Sequence, residues 1–257
     1  MKILVLGAGN MGAFFVDTLC LHHDVAVYDI DMERMKYLFR VHRIENLEQV
    51  KEFQPDLFIN AVSLQHTMTA FEAVMPYIPE TCIISDITSV KNGIPGYYET
   101  LRHRFVSTHP MFGPTFANIR ELSGQSAIII KESDPAGKKF FKEFYSKLKL
   151  NIYEYSFAEH DQTIAYSLSI PFSSTLVFAA CMKKQEAPGT TFKKHMAIAK
   201  GLLSENDYLI SEVLMNPYTL PQIEKIHDKL TYLIELIKNK DSNTLHQFLG
   251  ELRENIS

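Results

Sequence analysis

The sequence predicts an α/β fold, with a doubly wound parallel sheet over residues 1–155 and an all-helical domain over residues 156–257. Three observations carry that expectation. Short apolar runs alternate with amphipathic segments through the first part, as strands and crossover helices do. After Tyr155 no run reads as a strand, and only helical spacing remains. A glycine-rich turn lies directly between the first apolar run and the first amphipathic segment.

The apolar runs are Lys2–Leu6, Val25–Asp29, Leu57–Ala61, Cys82–Asp86, Phe105–Thr108, Ala127–Ile130 and Ile152–Tyr155. Most are four or five residues long and several are β-branched, the pattern of strands covered on both faces. Met11–Leu21 and Thr67–Met75 are amphipathic, and Asp134-Pro135 reads as an N-cap and first helical residue opening a helix to Leu148. Beyond Tyr155 the helical stretches are Glu159–Lys183, Thr191–Ser204, Asp207–Leu214, Pro221–Asn239 and Asn243–Glu254. They are separated at Ala187-Pro188-Gly189, Asn206, Asn216-Pro217 and Lys240-Asp241-Ser242. Ile223, Ile226, Leu230, Leu233, Ile234 and Ile237 keep helical spacing and form a broad apolar stripe.

Composition excludes several classes. The chain has 257 residues, 46% hydrophobic and 22% charged, which is neither disordered nor fibrous. Its 26 Lys+Arg against 30 Asp+Glu give a net charge of −4, with no basic excess to point to nucleic acid. Cys20, Cys82 and Cys181 are widely spaced and form neither a disulfide framework nor a metal pair, so free thiols in a reducing cytoplasm are expected. The ten histidines form no metal-type cluster. Neither the short apolar start nor Thr175–Met182 has the length of a signal or membrane segment, so no membrane partner is expected.

Gly7-Ala8-Gly9-Asn10-Met11-Gly12 reads G-x-G-x-x-G between a strand and a helix. The first glycine permits the tight turn, the second lets backbone approach a diphosphate, and the third lets helix and strand pack closely. A diphosphate at the helix N-terminus meets free N–H groups and the positive end of the helix dipole. Asp29 ends the second run at the spacing expected for a carboxylate that binds ribose hydroxyls and repels a 2′-phosphate. NAD is therefore expected over NADP, although Arg34 and Lys36 lie close enough in sequence to meet a phosphate. The expected dinucleotide contacts are Gly7, Gly9, Asn10, Met11, Gly12, Asp29 with its neighbour Ile30, and Val62 and Ser63, which follow the third run. This places a Rossmann-type domain first in the chain.

Three further motifs fall at strand C-termini, where such sheets do chemistry. Asn60–Ser63 (NAVS) follows the third run and would pass over the cofactor, Asp86–Gly93 (DITSVKNG) follows the fourth, and Ser107–Pro114 (STHPMFGP) spans the end of the fifth. His109, at a strand end and before proline, suits a general base, since an ordinary histidine pKa of about 6.5 leaves it proton-accepting at neutral pH. A serine on the adjacent loop would bond one ring nitrogen and fix the tautomer. Each motif also has a plainer reading, a loop histidine and a helix start.

Ser85–Gly93 (SDITSVKNG), Ser107–Pro114 and Glu159–Tyr166 (EHDQTIAY) together resemble the signature blocks of the prephenate/arogenate dehydrogenase family of tyrosine biosynthesis. The resemblance runs in order along nearly the whole chain. It implies a Rossmann-type domain, a helical domain that makes a homodimer, and NAD(P)-dependent oxidative decarboxylation of prephenate or arogenate. His109 then falls on the catalytic histidine that bonds the ring hydroxyl, and Ser89 on the serine that accompanies it. Lys91, Asn92, Gly113 and Thr115 fall in segments that line the site. Glu159, His160 and Asp161 match the block opening the helical domain, where His160 reads equally well as a residue ordering the domain junction.

Two departures stand out. Phe172 occupies the place of a histidine that many members carry, and Gly201 that of an arginine that pairs with a substrate carboxylate. Lys91, Arg120, Lys193, Lys194 and Lys200 are the candidate cations for a doubly anionic substrate, with Lys200 adjacent to Gly201. The leading expectation is an NAD-dependent prephenate dehydrogenase, cytoplasmic, with a small-molecule substrate and no metal. Arogenate or dual specificity is the alternative within the family. A β-hydroxyacid or pyrroline-carboxylate type dehydrogenase shares the domain plan, but the HPMFGP block argues against it. A dinucleotide-sensing protein without catalysis is the alternative of another class. The length leaves no room for a fused regulatory or mutase domain, so a single activity is expected.

Overall fold

The structure, a computed structural model, describes residues 1–112 and 122–257. It divides into two compact units, Met1–Gln162 and Thr163–Ser257, where the sequence reading divides the chain after Tyr155.

Among the described residues of the first unit, eight strands form one sheet in the order β3-β2-β1-β4-β5-β6-β7-β8. They are β1 (Lys2–Leu6), β2 (Asp24–Tyr28), β3 (His42–Arg43), β4 (Leu57–Asn60), β5 (Ile83–Asp86), β6 (Phe105–Pro110), β7 (Ser126–Ile130) and β8 (Asn151–Tyr155). The first six run parallel in the 3-2-1-4-5-6 order of dinucleotide-binding sheets. The expected doubly wound parallel sheet is present with one strand reversed: β7 pairs antiparallel with β6, Thr108 opposite Ile129 and Pro110 opposite Ala127. β8 then runs parallel to β7. Met111 N–H donates to the Ser126 carbonyl, which closes the antiparallel pair at its outer end.

Alternate residues of each central strand feed two cores. Ile3, Val5, Leu57, Ile59, Val106 and Ile129 face α1 (Asn10–Leu19) and α5 (Pro135–Lys147), which meet through Phe15 and Phe144. Leu4, Leu6, Phe58 and Ile84 face α2 (Gln49–Phe53), α3 (Thr67–Val74) and α4 (Ile94–Thr100). Helices on both faces are why the strands read as unbroken apolar runs. Asp134 caps α5 as expected, accepting from Ala136 and Gly137 N–H, with Pro135 in the first turn.

The predicted helix Glu159–Lys183 is broken in the middle. It consists of α6 (Phe157–Ile164), a π-helical turn at Ala165–Ser169, and α7 (Ile170–Cys181). Pro171 supplies no N–H to a regular ladder, and Ser169 Oγ turns to the Val213 carbonyl and Thr219 Oγ1. By length and composition alone, Phe157–Cys181 is apolar enough to cross a bilayer. Its α7 portion packs on α8 (Thr190–Leu202), α9 (Asp207–Leu214) and α10 (Leu220–Asn239), the last of which also meets α11 (Ser242–Asn255). The apolar stripe of α10 is only partly covered within the chain: Leu230, Ile234 and Ile237 are exposed, and Ile237 is 62% accessible.

α1 lies close against the turn that follows β1. A Cβ on Gly12 would lie 1.8 Å from the Gly7 carbonyl oxygen, with nowhere to move except by pushing α1 off the sheet. Gly12→Ala is expected to cost about 1–3 kcal/mol, the usual penalty of overpacking, read as a lowered denaturant midpoint at unchanged slope.

Candidate active site

The edge of the sheet where β1, β4, β5 and β6 all end in the same direction gathers the predicted site residues. Gly7 lies there with φ +95°, a conformation that disfavours any side chain, and a Cβ on it would meet Ala61 and Val62 backbone at 2.9 Å. Gly9, the N-cap residue of α1, is different. The space a Cβ would fill there is open, its nearest neighbour being Arg34 Nη1 at 3.9 Å, and no side chain caps the helix. The first-turn N–H groups of α1 thus remain available to an anion, beneath a guanidinium that is also paired with Asp31.

Asp29 closes this cradle. Its Oδ2 accepts from Ala8 N–H at 2.6 Å and its Oδ1 from Asp31 N–H at 2.8 Å, so the carboxylate is fixed relative to the glycine loop. Each oxygen keeps a second lone pair for a hydroxyl donor. Ile30 beside it is almost wholly exposed, Asn10 is exposed, and Met11 packs partly on the core. Across the sheet's reversal point, Asn60 Oδ1 accepts from Val62 N–H, and Ser63 Oγ bonds His66 Nδ1 at 2.8 Å. An open glycine, an uncapped helix and a fixed carboxylate fit a dinucleotide.

The second cluster is built around a buried ion pair. Lys91 and Asp86 are both fully buried, Nζ to Oδ2 2.5 Å. Lys91 also donates to the Thr108 carbonyl at 2.8 Å and lies 3.4 Å from Thr88 Oγ1, so its three donors are all engaged. Asp86 further accepts from Thr88 N–H and Oγ1 and from the Tyr98 hydroxyl at 2.7 Å. Burial alone would raise the Asp86 pKa; the Lys91 ammonium and these donors outweigh it and hold the carboxyl below the usual carboxylate range. Lys91 is therefore corrected from a substrate-facing cation to an internal one. It grips the carbonyl of the residue immediately before His109.

His109 is itself buried, at 6% accessibility, on the sheet face that also carries Phe105. Burial, then the neighbouring His160 and Lys91, holds its pKa well below that of an ordinary histidine. Its Nδ1 lies 3.0 Å from His160 Nε2, and His160 Nδ1 lies 3.0 Å from Asp161 Oδ1. Helix α6 brings these residues in. Ser156 Oγ accepts from Glu159 N–H while Glu159 Oε2 accepts from Ser156 N–H, a reciprocal capping box. Glu159 also pairs with Lys131 at 2.6 Å, and Phe157 stacks on Phe105, so the helix starts against β6 and runs toward His109.

The nucleotide residues, Ser89, Lys91 and His109 thus belong to one unit. Ser89 is half-buried in the turn after β5. The ring nitrogen expected to meet a serine is met by His160. Lys200 and Lys193 and Lys194 are exposed on α8, and Phe172 is half-buried on α7, all in the second unit. Gly113, Thr115 and Arg120 lie outside the described residues. Sequence reading missed the contribution of Tyr98 and undervalued His160. The capping-box spacing Ser156-x-x-Glu159 is the signal that places His160 in a first helical turn.

A family model described as prephenate dehydrogenase, nucleotide-binding domain, matches residues 15–143. A probable arogenate/prephenate dehydrogenase of Methanocaldococcus jannaschii is 24% identical over 96% of this chain and 59% of its own, so the chain spans about three-fifths of that relative. Two solved structures share the fold. Aquifex aeolicus prephenate dehydrogenase, in complex with hydroxyphenyl propionate and NAD+, has a TM-score of 0.85 at 20% identity, covering 100% of this chain and 98% of that one. Synechocystis arogenate dehydrogenase has a TM-score of 0.79 at 20% identity, covering 99% and 98%.

Removing one partner of the Asp86–Lys91 pair strands a buried charge. Lys91→Met is expected to cost about 3–5 kcal/mol in equilibrium unfolding, and the double variant Asp86→Asn, Lys91→Met to recover part of that loss.

Proposed function

Because the chain belongs to the prephenate dehydrogenase family, we propose that it is an NAD-dependent prephenate dehydrogenase, producing 4-hydroxyphenylpyruvate by oxidative decarboxylation. The observation that carries this reading is His109, buried and with its pKa held well below that of an ordinary histidine, on the same sheet edge as the glycine cradle.

NAD bound in that cradle would supply the hydride acceptor. The first turn of α1 and Arg34 would hold its diphosphate, and Asp29 its ribose hydroxyls, a carboxylate there disfavouring NADP. His109 takes the proton of the substrate's ring hydroxyl as that carbon is oxidised. Loss of the ring carboxylate makes an aromatic product, so the step runs strongly downhill and the protein needs alignment and one base. The Asp86–Lys91 pair fixes the backbone that carries this base. Ser89, on the neighbouring turn, is proposed as a further polar contact to the substrate, and Lys200 as a candidate carboxylate partner from the helical domain, residues 156–257. Phe172 and Gly201 leave arogenate as the competing substrate.

The exposed apolar residues of the helical unit, Leu230, Ile234 and Ile237 among them, are proposed to be covered by a second copy of the chain. Sedimentation is expected to report twice the chain mass, and Ile237→Asp to shift it toward the monomer.

His109→Asn is expected to lower kcat by about 10²–10⁴-fold, the usual contribution of a general base, while NAD affinity, read by calorimetry, stays unchanged. Base catalysis requires the neutral ring. With its pKa depressed, His109 stays neutral as pH falls through about 6.5, so the acid limb of kcat/KM is expected below that value. An acid limb above it would count against His109 as the base. Initial rates with prephenate and arogenate, each against NAD and NADP, are expected to be highest for prephenate with NAD.

A further inference from the structure

We propose that His160, held in turn by Asp161, is a positioning residue that sets the tautomer of His109 and so decides which ring nitrogen is offered to substrate. The proposal rests on His109 being the base in the reaction proposed above.

The argument is one of donors and acceptors. Asp161 Oδ1, His160 Nδ1, His160 Nε2 and His109 Nδ1 form a chain with both links at 3.0 Å. An ionised carboxylate only accepts, so His160 carries its hydrogen on Nδ1. Burial keeps His160 below an ordinary histidine's pKa, outweighing the pull of Asp161, so the ring is neutral and its Nε2 is bare. A bare nitrogen only accepts, which obliges His109 to donate from Nδ1. A neutral His109 with its hydrogen on Nδ1 has its lone pair on Nε2, and no described residue engages that atom. Direction thus passes from a carboxylate through one imidazole to the next.

The placement of His160 is rigid enough for this role. The Ser156–Glu159 capping box, the Lys131–Glu159 pair and the bond from Phe157 N–H to Glu132 Oε1 tie the first turn of α6 to the end of β7. The two imidazoles are 51 positions apart in sequence, yet their rings meet edge to face with centroids 5.2 Å apart. Ser89, the other residue expected to orient His109, makes no such bond to the ring.

The tautomer is directly observable. In the full chain labelled with ¹⁵N-histidine and free of ligand, two-bond ¹H–¹⁵N spectra at pH 7.5 distinguish the Nδ1–H form from the Nε2–H form. The His109 signals are assigned by their loss in His109→Asn. The wild type is expected to show His109 as a single Nδ1–H tautomer. His160→Phe keeps a ring of similar bulk but no acceptor, and is expected to give a mixture of forms. His160→Gln, whose amide oxygen can accept from Nδ1–H, is expected to keep the Nδ1–H form. In turnover, His160→Phe is expected to lose about 100-fold in kcat with little change in KM, and His160→Gln to recover most of it.

An Nε2–H tautomer in the wild type, or an unchanged tautomer in His160→Phe, would overturn the proposal. If His160→Phe does not fold, Asp161→Leu takes its place. It removes the acceptor for His160 Nδ1–H, so a mixture of His109 tautomers is expected, and an unaltered His109 tautomer there is the overturning result. The spectra need no substrate. An enzyme with the expected tautomers but no turnover of prephenate or arogenate would therefore count against the proposed reaction while supporting the positioning role.

Discussion

Asp86 and Lys91 form a charge pair with no exposure to water, at the point where β5 ends and the chain turns toward α4. Taking two charges out of water is costly, and a close contact repays it only when every remaining donor and acceptor is also satisfied. Here they are, and the satisfying groups come from different elements: Tyr98 from α4, the Thr108 carbonyl from β6, Thr88 from the intervening turn. The pair is tolerable only when those elements are in place. It therefore acts less as an attraction between two residues than as a condition on the whole edge of the sheet. The positive end of that pair also faces His109, where, with burial and His160, it disfavours a second positive charge.

The parallel run of strands does the remaining work of assembly. Because β1, β4, β5 and β6 point the same way, residues far apart in sequence leave the sheet at one edge: Gly7, Val62, Ser89 and His109 each follow or end a strand there. The two halves of the site are built on opposite principles. The nucleotide cradle depends on absent side chains, since Gly7 and Gly12 leave no room for a Cβ and Gly9 leaves room for a ligand. The histidine centre depends on packed side chains that hold one another, Asp161 to His160 and His160 to His109 Nδ1. Openness suits a group that must come and go, and close packing suits a ring held in one orientation.

Much of this was legible in the sequence because burial on both faces writes strands as unbroken apolar runs. β1 matches its predicted span, and the others differ by one or two residues at the ends. The short exposed β3, His42–Arg43, has no such signature, and α2 and α4 are too short to establish a period. The direction of β7 was not readable either, since Ser-Ala-Ile-Ile-Ile looks the same in either orientation. Lys91 looked like a surface cation because burial of a lysine is set by partners from other segments. His160 was seen within a motif, but its partner lies on another element, and no local pattern encodes that distance. The break at Ala165–Ser169 follows from Pro171, whose presence was visible while its effect on the ladder was not.

The antiparallel pairing of β7 with β6 has one more consequence. In a parallel crossover the chain must leave the edge where a strand ends and travel the length of the sheet before the next strand begins. Reversing β7 cancels that journey: Met111 and Ser126 are already bonded to each other, with Phe112 and Leu122 both anchored in the core. The connection between them starts and finishes at the edge of the sheet that carries His109. Closing such a connection costs only about 0.6 kcal/mol more for each doubling of its length. Insertions and deletions there can therefore accumulate at small thermodynamic cost, while the strands, the glycine cradle and the paired histidines keep their register.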